Sequence, residues 1–239
     1  MNVSQIYLSD AEDQELPPFL KNATSTVVKA FSDAKHTIYD MRTLRQFIVD
    51  NYESDVVWAY DKLRPFSYKA DLGRYCLLEK LGGWYFDISI RVESPIVLGE
   101  SVQFLGFRDV QKHSLTSWAC STSIIFSKPD SGVFRTAIEN IVRNCREEFY
   151  GLTPLCPTGP TVFGRALAVH GSQKNYFFGD VIELTPTHEK KNKAFLLPDG
   201  AIVAWCKPTE GGDLAGLGAK GVNNYNKFWL EKDVYVPEK

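Results

Sequence analysis

The sequence predicts an α/β fold, with a mostly parallel central sheet and flanking helices, on three observations. The chain opens strand–helix–strand–helix. A longer helix then runs into Gly82-Gly83 and an aromatic strand that ends on a carboxylate, Asp87. The length of 239 residues suits one domain over 1–239 better than two, and such a domain buries a substantial core without disulfides or metal staples.

In order, Val3 to Leu8 alternates weakly and reads as a first strand, followed by Ser9 and an acidic loop, Asp10 to Asp13. The loop at Leu8 and Ser9 leaves the first strand where such sheets bind nucleotides. Pro17-Pro18 precedes a helix over Phe19–Phe31, and His36 to Tyr39 is the second strand. Thr43 is read as the cap of a helix carrying Leu44, Phe47 and Ile48 at amphipathic spacing. This opening implies parallel strands joined by crossover helices.

The stretch from Pro65 to Ser89 organises the rest. Ser67 reads as an N-cap of a helix running to Leu81, and Gly82-Gly83 stops it. Trp84-Tyr85-Phe86 is strand-prone, and Asp87 falls at the strand's end, where α/β proteins bind ligands. Asp71 and Arg74 are three apart and share a face with Leu78. Two readings stand: a surface ion pair worth a few tenths of a kcal/mol, or an inward-facing functional pair. The aromatic strand ending on Asp87 favours the second.

Beyond it, Ile90 to Val92 and Pro95 to Val97 read as a strand broken by a turn, and Val102 to Phe107 as a strand ending at Arg108-Asp109. Thr116 to Phe126 begins polar and ends as a strand, and a helix over Val133–Phe149 follows Pro129-Asp130-Ser131. Thr153 to Thr161 is a proline-set turn leading into a helix over Val162–His170. Val181 to Leu184 and Ala201 to Trp205 are late strands around a solvated loop, His188 to Lys191. Residues 211–224 hold five glycines and are the most flexible-looking part. No repeat, low-complexity tail or linker stands out.

Composition narrows the class. The net charge of -2 argues against a nucleic-acid partner. Five cysteines, an odd number without C-x-x-C spacing, argue against a disulfide framework and a zinc site and fit a reducing compartment. The start lacks a basic region followed by an apolar core, and no apolar run reaches the roughly 18 residues of a membrane span. The expectation is a cytoplasmic protein without a transmembrane segment, with peripheral association at the inner face of the membrane left open. His113 and His170 have no ligand spacing and read as structural.

Ala70-Asp71-Leu72-Gly73-Arg74-Tyr75, Leu77-Leu78 and Gly82-Gly83-Trp84-Tyr85-Phe86-Asp87 resemble the sugar-binding DXD region of family 32 glycosyltransferases. These are relatives of yeast α-mannosyltransferases, of bacterial capsule and lipopolysaccharide transferases, and of the large clostridial glucosylating toxins. The resemblance is strong over about residues 56–97. The family ends this segment Asp-X-Asp, where this chain has Asp87-Ile88-Ser89.

The resemblance implies a GT-A-type nucleotide-sugar-binding fold and a retaining hexosyltransferase. It would move a sugar from a nucleotide-sugar donor, UDP-sugar favoured over GDP-mannose, to a glycan or lipid-linked acceptor in bacterial polysaccharide or lipopolysaccharide synthesis. It implies donor contacts from Leu8, Ser9, Asp71, Arg74, Tyr75, Asp87, Thr158 and Gly159. Thr158-Gly159-Pro160 matches a short family element that would turn a helix N-terminus toward the site; on residue types alone it is a proline-set helix start. Asp87 and Asp109 are the candidate catalytic carboxylates, Asp109 as an orienter of the acceptor or as an ordinary strand-end residue.

A divalent cation, Mn²⁺ or Mg²⁺, would be held by Asp87, Ser89 and a late loop from which Asn223 and Asn224 are the candidates, Asp213 a weaker one. Ser89 is a neutral ligand where the family has a carboxylate. Three readings stay open: the cation is held with help from elsewhere, it is replaced by basic or N–H groups, or catalysis is lost. The last possibility defines the alternative, a non-catalytic sugar-nucleotide-binding protein of the same fold. A glycoside hydrolase would need a second well-placed carboxylate, which the sequence does not offer.

Overall fold

A computed structural model describes residues 1–11, 15–110, 115–171, 173–184, 193–209 and 214–237. The elements are β1 (Asn2–Ile6), α1 (Pro18–Ala30), β2 (Lys35–Tyr39), α2 (Met41–Asn51), α3 (Ser54–Lys62), α4 (Phe66–Leu81), β3 (Gly83–Phe86), β4 (Arg91–Val92) and β5 (Phe104–Asp109). They continue with β6 (Cys120–Ser127), α5 (Gly132–Arg146), α6 (Pro160–His170), β7 (Tyr176–Glu183), β8 (Lys193–Leu196), β9 (Ile202–Trp205) and α7 (Tyr225–Leu230). The loop His188–Lys191, His113 and Asp213 lie outside the described residues.

The strands form one sheet in the order β2-β1-β3-β6-β5-β7-β8-β9-β4. β1 pairs in parallel with β2 and β3, and β5 with β7; the other five ladders are antiparallel. The sheet is therefore mixed, not mostly parallel. A parallel neighbour needs a long crossover, usually a helix. Helices separate the strands in the opening of the chain, but none separates β5 from β6, β7 from β8 or β8 from β9.

The sheet cannot be flat. β3 and β4 stand six strand positions apart, about 29 Å in a flat sheet at 4.8 Å per strand. Five Cα steps from Phe86 to Arg91 reach about 19 Å at most. The sheet must curl, which carries the β7–β9 side toward the turn at Asp87. β7 runs parallel to β5, and β5 and β3 both run antiparallel to β6. The C-terminal ends of β1, β3, β5 and β7 thus share one edge of the sheet.

Helices cover both faces. Val27 and Phe31, at the end of α1, pack against Trp84, Phe86, Phe107 and Phe195 on one face. α2 to α6 cover the other, with Tyr75, Phe134 and Phe163 stacked beside Phe104. β3 alternates as a strand must: Trp84 and Phe86 enter the first core, Tyr85 the second.

α4 is buried on nearly every side, from Tyr68 through Glu79, so it has no polar stripe to announce its orientation. It ends at Gly82 and Gly83, with φ of 57° and 88°, a left-handed backbone that favours glycine. A side chain at Gly83 would also strike the Asn2 carbonyl. The start differs from expectation. Pro65 holds the N-cap position without a side-chain cap, and the Phe66 N–H donates to Asn223 Oδ1 at 2.8 Å. A cap supplied from 157 residues away leaves no local trace, and Ser67 lies inside the first turn.

Thr43 is likewise not the cap of α2. Asp40 is, with Thr43 returning its hydroxyl to the Asp40 N–H in a capping box. Pro95–Val97 is not a strand, the strand expected from Thr116 begins at Cys120, and β7 begins at Tyr176, well before Val181. Among the described residues no helix is long and apolar enough to cross a membrane.

Candidate active site

A cleft of about 740 Å³ opens at the edge where the strand ends converge, lined by Leu8, Asp71, Arg74, Tyr85, Asp87 and Ser89 among others. Phe66 and Ser67 of α4, Gly159 and Pro160 at the start of α6, and Glu183, Lys193, Cys206 and Lys207 from the β7–β9 side complete its wall.

Arg74 is the hub. Its Nη1 donates to Asp87 Oδ1 and to the Thr122 carbonyl, each at 2.6 Å. Nε donates to the Ala70 carbonyl, and Nη2 lies 3.1 Å from Asp71 Oδ1. A guanidinium has five N–H donors; three are engaged in hydrogen bonds within the protein, and Nη2 meets Asp71 as an ion pair. The resemblance implied a donor contact from this arginine. The structure instead uses its fork to aim carboxylates, with the guanidinium stacked over the Tyr85 ring. Burial alone would lower the Arg74 pKa, but Asp87, Tyr85 and Asp71 around it hold it above the ordinary value.

Asp71 is buried beside it. Thr158 Oγ1 donates to its Oδ2 at 2.7 Å, and burial pushes its pKa up to about 6 against the pull of Arg74 and Thr158. Thr158 is fully buried behind the carboxylate, so it supports Asp71 from behind, and Gly159 is the member of the pair on the cleft wall.

Asp87 differs. Its Oδ1 accepts from Arg74 and from the Tyr85 hydroxyl at 2.9 Å, its backbone N–H is held by the Ser123 carbonyl, and its side chain is 29% exposed. One oxygen is fixed by two donors and Oδ2 is left for a ligand. With both carboxylates ionised, Asp71, Arg74 and Asp87 carry a net charge of -1, so the arrangement suits a cation or a hydroxyl more than a bare anion.

Ser89 lines the cleft with Asp87, but not by strand alternation. The Ile90 N–H donates to the Asp87 carbonyl at 3.0 Å, so Asp87 to Ile90 form a tight turn beyond β3. Among the described residues there is no group of three or more His, Cys, Asp or Glu that could hold a metal ion.

Several expected residues are placed elsewhere. Tyr75 is fully buried, stacked on Phe134 and Phe163, with its hydroxyl donating to the Thr158 carbonyl; it is core beneath the site. Ser9 donates to the Lys220 carbonyl and accepts from the Ala11 N–H, tying the exit of β1 to the C-terminal segment, while Leu8 does line the cleft. Asn224 caps α7, its Oδ1 accepting from Asn226 and Lys227. Asn223 reaches the cleft, but its amide bridges the Phe66 N–H and the Arg64 carbonyl. Asp109 ends β5 and is not among the residues lining the cleft. His170 meets Thr136 Oγ1 at 2.9 Å, a structural contact.

Sequence reasoning missed the Tyr85 hydroxyl, the Thr122 carbonyl and the β7–β9 contribution. Tyr85 was visible as a strand aromatic two residues before Asp87. The Thr122 carbonyl arrives through the antiparallel pairing of β6 with β3 and the β7–β9 wall through the curl of the sheet, and neither carries a local signal.

Residues 17–105 match the family described as a glycosyltransferase sugar-binding region containing a DXD motif. An uncharacterized glycosyltransferase of Acanthamoeba polyphaga mimivirus is 26% identical over 141 residues, 58% of this chain and 54% of that protein. The chain thus spans about half the length of that curated relative. Among solved structures, PaToxG glycosyltransferase aligns over 71% of this chain and 68% of its own, at 15% identity and a TM-score of 0.50, a likeness of fold. Residues 17–105 are thus similar to the sugar-binding region of glycosyltransferases.

Proposed function

We propose that the cleft binds a nucleotide-sugar, UDP-sugar in the first instance, and transfers its sugar with retention of configuration. The acceptor would be a glycan or lipid-linked glycan of the kind assembled in bacterial surface polysaccharide or lipopolysaccharide. The observation that carries this is the setting of Asp87: Oδ1 is fixed by Arg74 and Tyr85 on a carboxylate that lines the cleft and is 29% exposed.

In this reading Asp87 Oδ2 meets the ribose or the cation that accompanies the diphosphate. Asp87 and Ser89 fit such an ion as a sparse set, one carboxylate and one hydroxyl, which suits Mg²⁺ or Mn²⁺ held chiefly by phosphate oxygens. Bound there, the ion would neutralise charge developing on the departing diphosphate. Lys193 and Lys207 add positive charge to the same cleft. Arg74 keeps Asp87 and Asp71 in place. A retaining transfer needs no obligatory protein base, consistent with Asp109 lying off the cleft wall.

Free-nucleotide release from a panel of UDP- and GDP-sugars, with Mn²⁺ and with EDTA, tests the reading. Turnover lost in Asp87→Ala supports it. Tight binding without turnover, with acceptors present, supports the non-catalytic alternative, which the neutral Ser89 favours.

A further inference from the structure

The donor reading uses the wall built by β1, β3, α4 and α6, together with the lysines. It leaves two oxygens unexplained. Glu183 Oε1 and Thr209 Oγ1 are buried without a hydrogen-bond partner, and both residues line the same cleft as Asp87. Glu183 is the last residue of β7 and pairs in register with Lys193, the first of β8. Two of the six such orphaned side-chain atoms among the described residues thus fall on one wall of one cleft.

An orphaned buried polar atom costs about 1–3 kcal/mol, and folds tolerate that where a ligand supplies the missing partner. As a hydrogen-bond acceptor a carboxylate oxygen takes an N–H or O–H donor, and a threonine hydroxyl both donates and accepts. Phosphate offers no donor and would be repelled by Glu183. A sugar hydroxyl offers both halves of the bond.

The curl of the sheet gives the placement. Glu183 leaves β7 at the same edge at which Asp87 leaves β3, and Trp205 at the end of β9 pairs with Arg91, one residue beyond the Asp87 turn.

We propose that Glu183, with Thr209, forms a carbohydrate-hydroxyl subsite on the β7–β9 wall of the cleft. The inference rests on the nucleotide-sugar reading of that cleft. Two sources share this chemistry, the transferred sugar of the donor and the sugar of the acceptor, and the arms of the test separate them.

The test compares wild type with Glu183→Ala and Glu183→Gln. Affinities for UDP and for UDP-glucose, UDP-galactose and UDP-N-acetylglucosamine are measured by calorimetry. Binding of methyl glucoside, galactoside and mannoside to the UDP-loaded protein is followed by ligand-observed NMR. UDP affinity should hold within about two-fold, while one sugar-dependent signal weakens about ten-fold or more in Glu183→Ala, as expected for loss of a hydrogen bond to a charged group. Loss of the UDP-sugar advantage over UDP assigns the donor sugar; loss of glycoside binding assigns the acceptor. Removing a carboxylate oxygen that is buried without a partner should also leave the ligand-free melting temperature equal or higher in both variants.

Unchanged sugar signals, weakened UDP binding or a lowered melting temperature overturn the proposal. A wild-type protein that binds neither UDP nor any UDP-sugar overturns the donor reading itself, and this inference with it.

Discussion

Arg74 and Asp87 meet at 2.6 Å, Nη1 to Oδ1, with the guanidinium almost completely buried and the carboxylate reaching the cleft. An arginine on α4 therefore sets the direction of an aspartate 13 residues later in a turn after β3. Its substitution separates stability from aim. Arg74→Ala leaves Asp71 buried and unpaired, and should cost about 3–5 kcal/mol in chemical unfolding. Arg74→Lys keeps the charge but cannot serve Asp87, Asp71 and the Thr122 carbonyl together. Turnover of a nucleotide-sugar should fall about ten- to a hundred-fold in that variant, measured on protein shown to be folded by circular dichroism.

Asp71 should leave a signature in the pH dependence of stability. Its pKa is pushed up to about 6 by burial, above the ordinary carboxylate value of about 4. Between those values the folded protein holds a proton that the unfolded chain releases, so stability falls as pH rises through the window. The contribution is fully present below about pH 4 and lost above about pH 6. Asp71→Asn has no such proton. Melting temperatures of both proteins at pH 4.5 and 7.5, values chosen about the window, should shift in favour of the variant as pH rises. A difference that does not change with pH would mean that Asp71 is ionised throughout.

Ser89→Asp should change the response to metal. A second carboxylate beside Asp87 raises the charge count of the donor set, and the Mn²⁺ concentration for half-maximal nucleotide release should drop about ten-fold. An unchanged Mn²⁺ curve would place residue 89 out of reach of the cation.

Asn224 offers the complementary control. Because its Oδ1 caps α7, Asn224→Ala should lose about 1 kcal/mol in urea unfolding with the Mn²⁺ response unaltered. A shifted Mn²⁺ curve without loss of stability would restore Asn224 as a ligand.

The helix and strand that place Asp71, Arg74 and Asp87 on the cleft were legible in the sequence because they are local. Asp71, Arg74 and Asp87 fall within 17 residues, on one helix, one glycine break and one strand readable from residue types, whereas the Tyr85 hydroxyl between them was missed. The opening strands and helices were legible for the same reason, since hydrophobic period and turn residues mark them. What failed was non-local. The Asn223 cap on α4 joins opposite ends of the chain, and the antiparallel insertion of β6 depends on pairing that no single segment encodes. Glu183 sits in an ordinary strand end, and only the curl of the sheet makes it part of the cleft. Asn224 shows the reverse error: an asparagine in a glycine-rich segment looked like a ligand and is a helix cap.

The most direct test is kcat/KM for nucleotide release from the best UDP- or GDP-sugar in wild type and in Asp87→Asn, with nucleotide binding measured alongside. Asn keeps the shape at position 87 and removes the charge that Arg74 and Tyr85 hold toward the cleft. The predicted result is turnover in wild type and a fall of about a hundred-fold or more in the variant, with the melting temperature within a few degrees of wild type. An Asp87→Asn protein that turns over the donor as fast as wild type would contradict a donor site centred on Asp87.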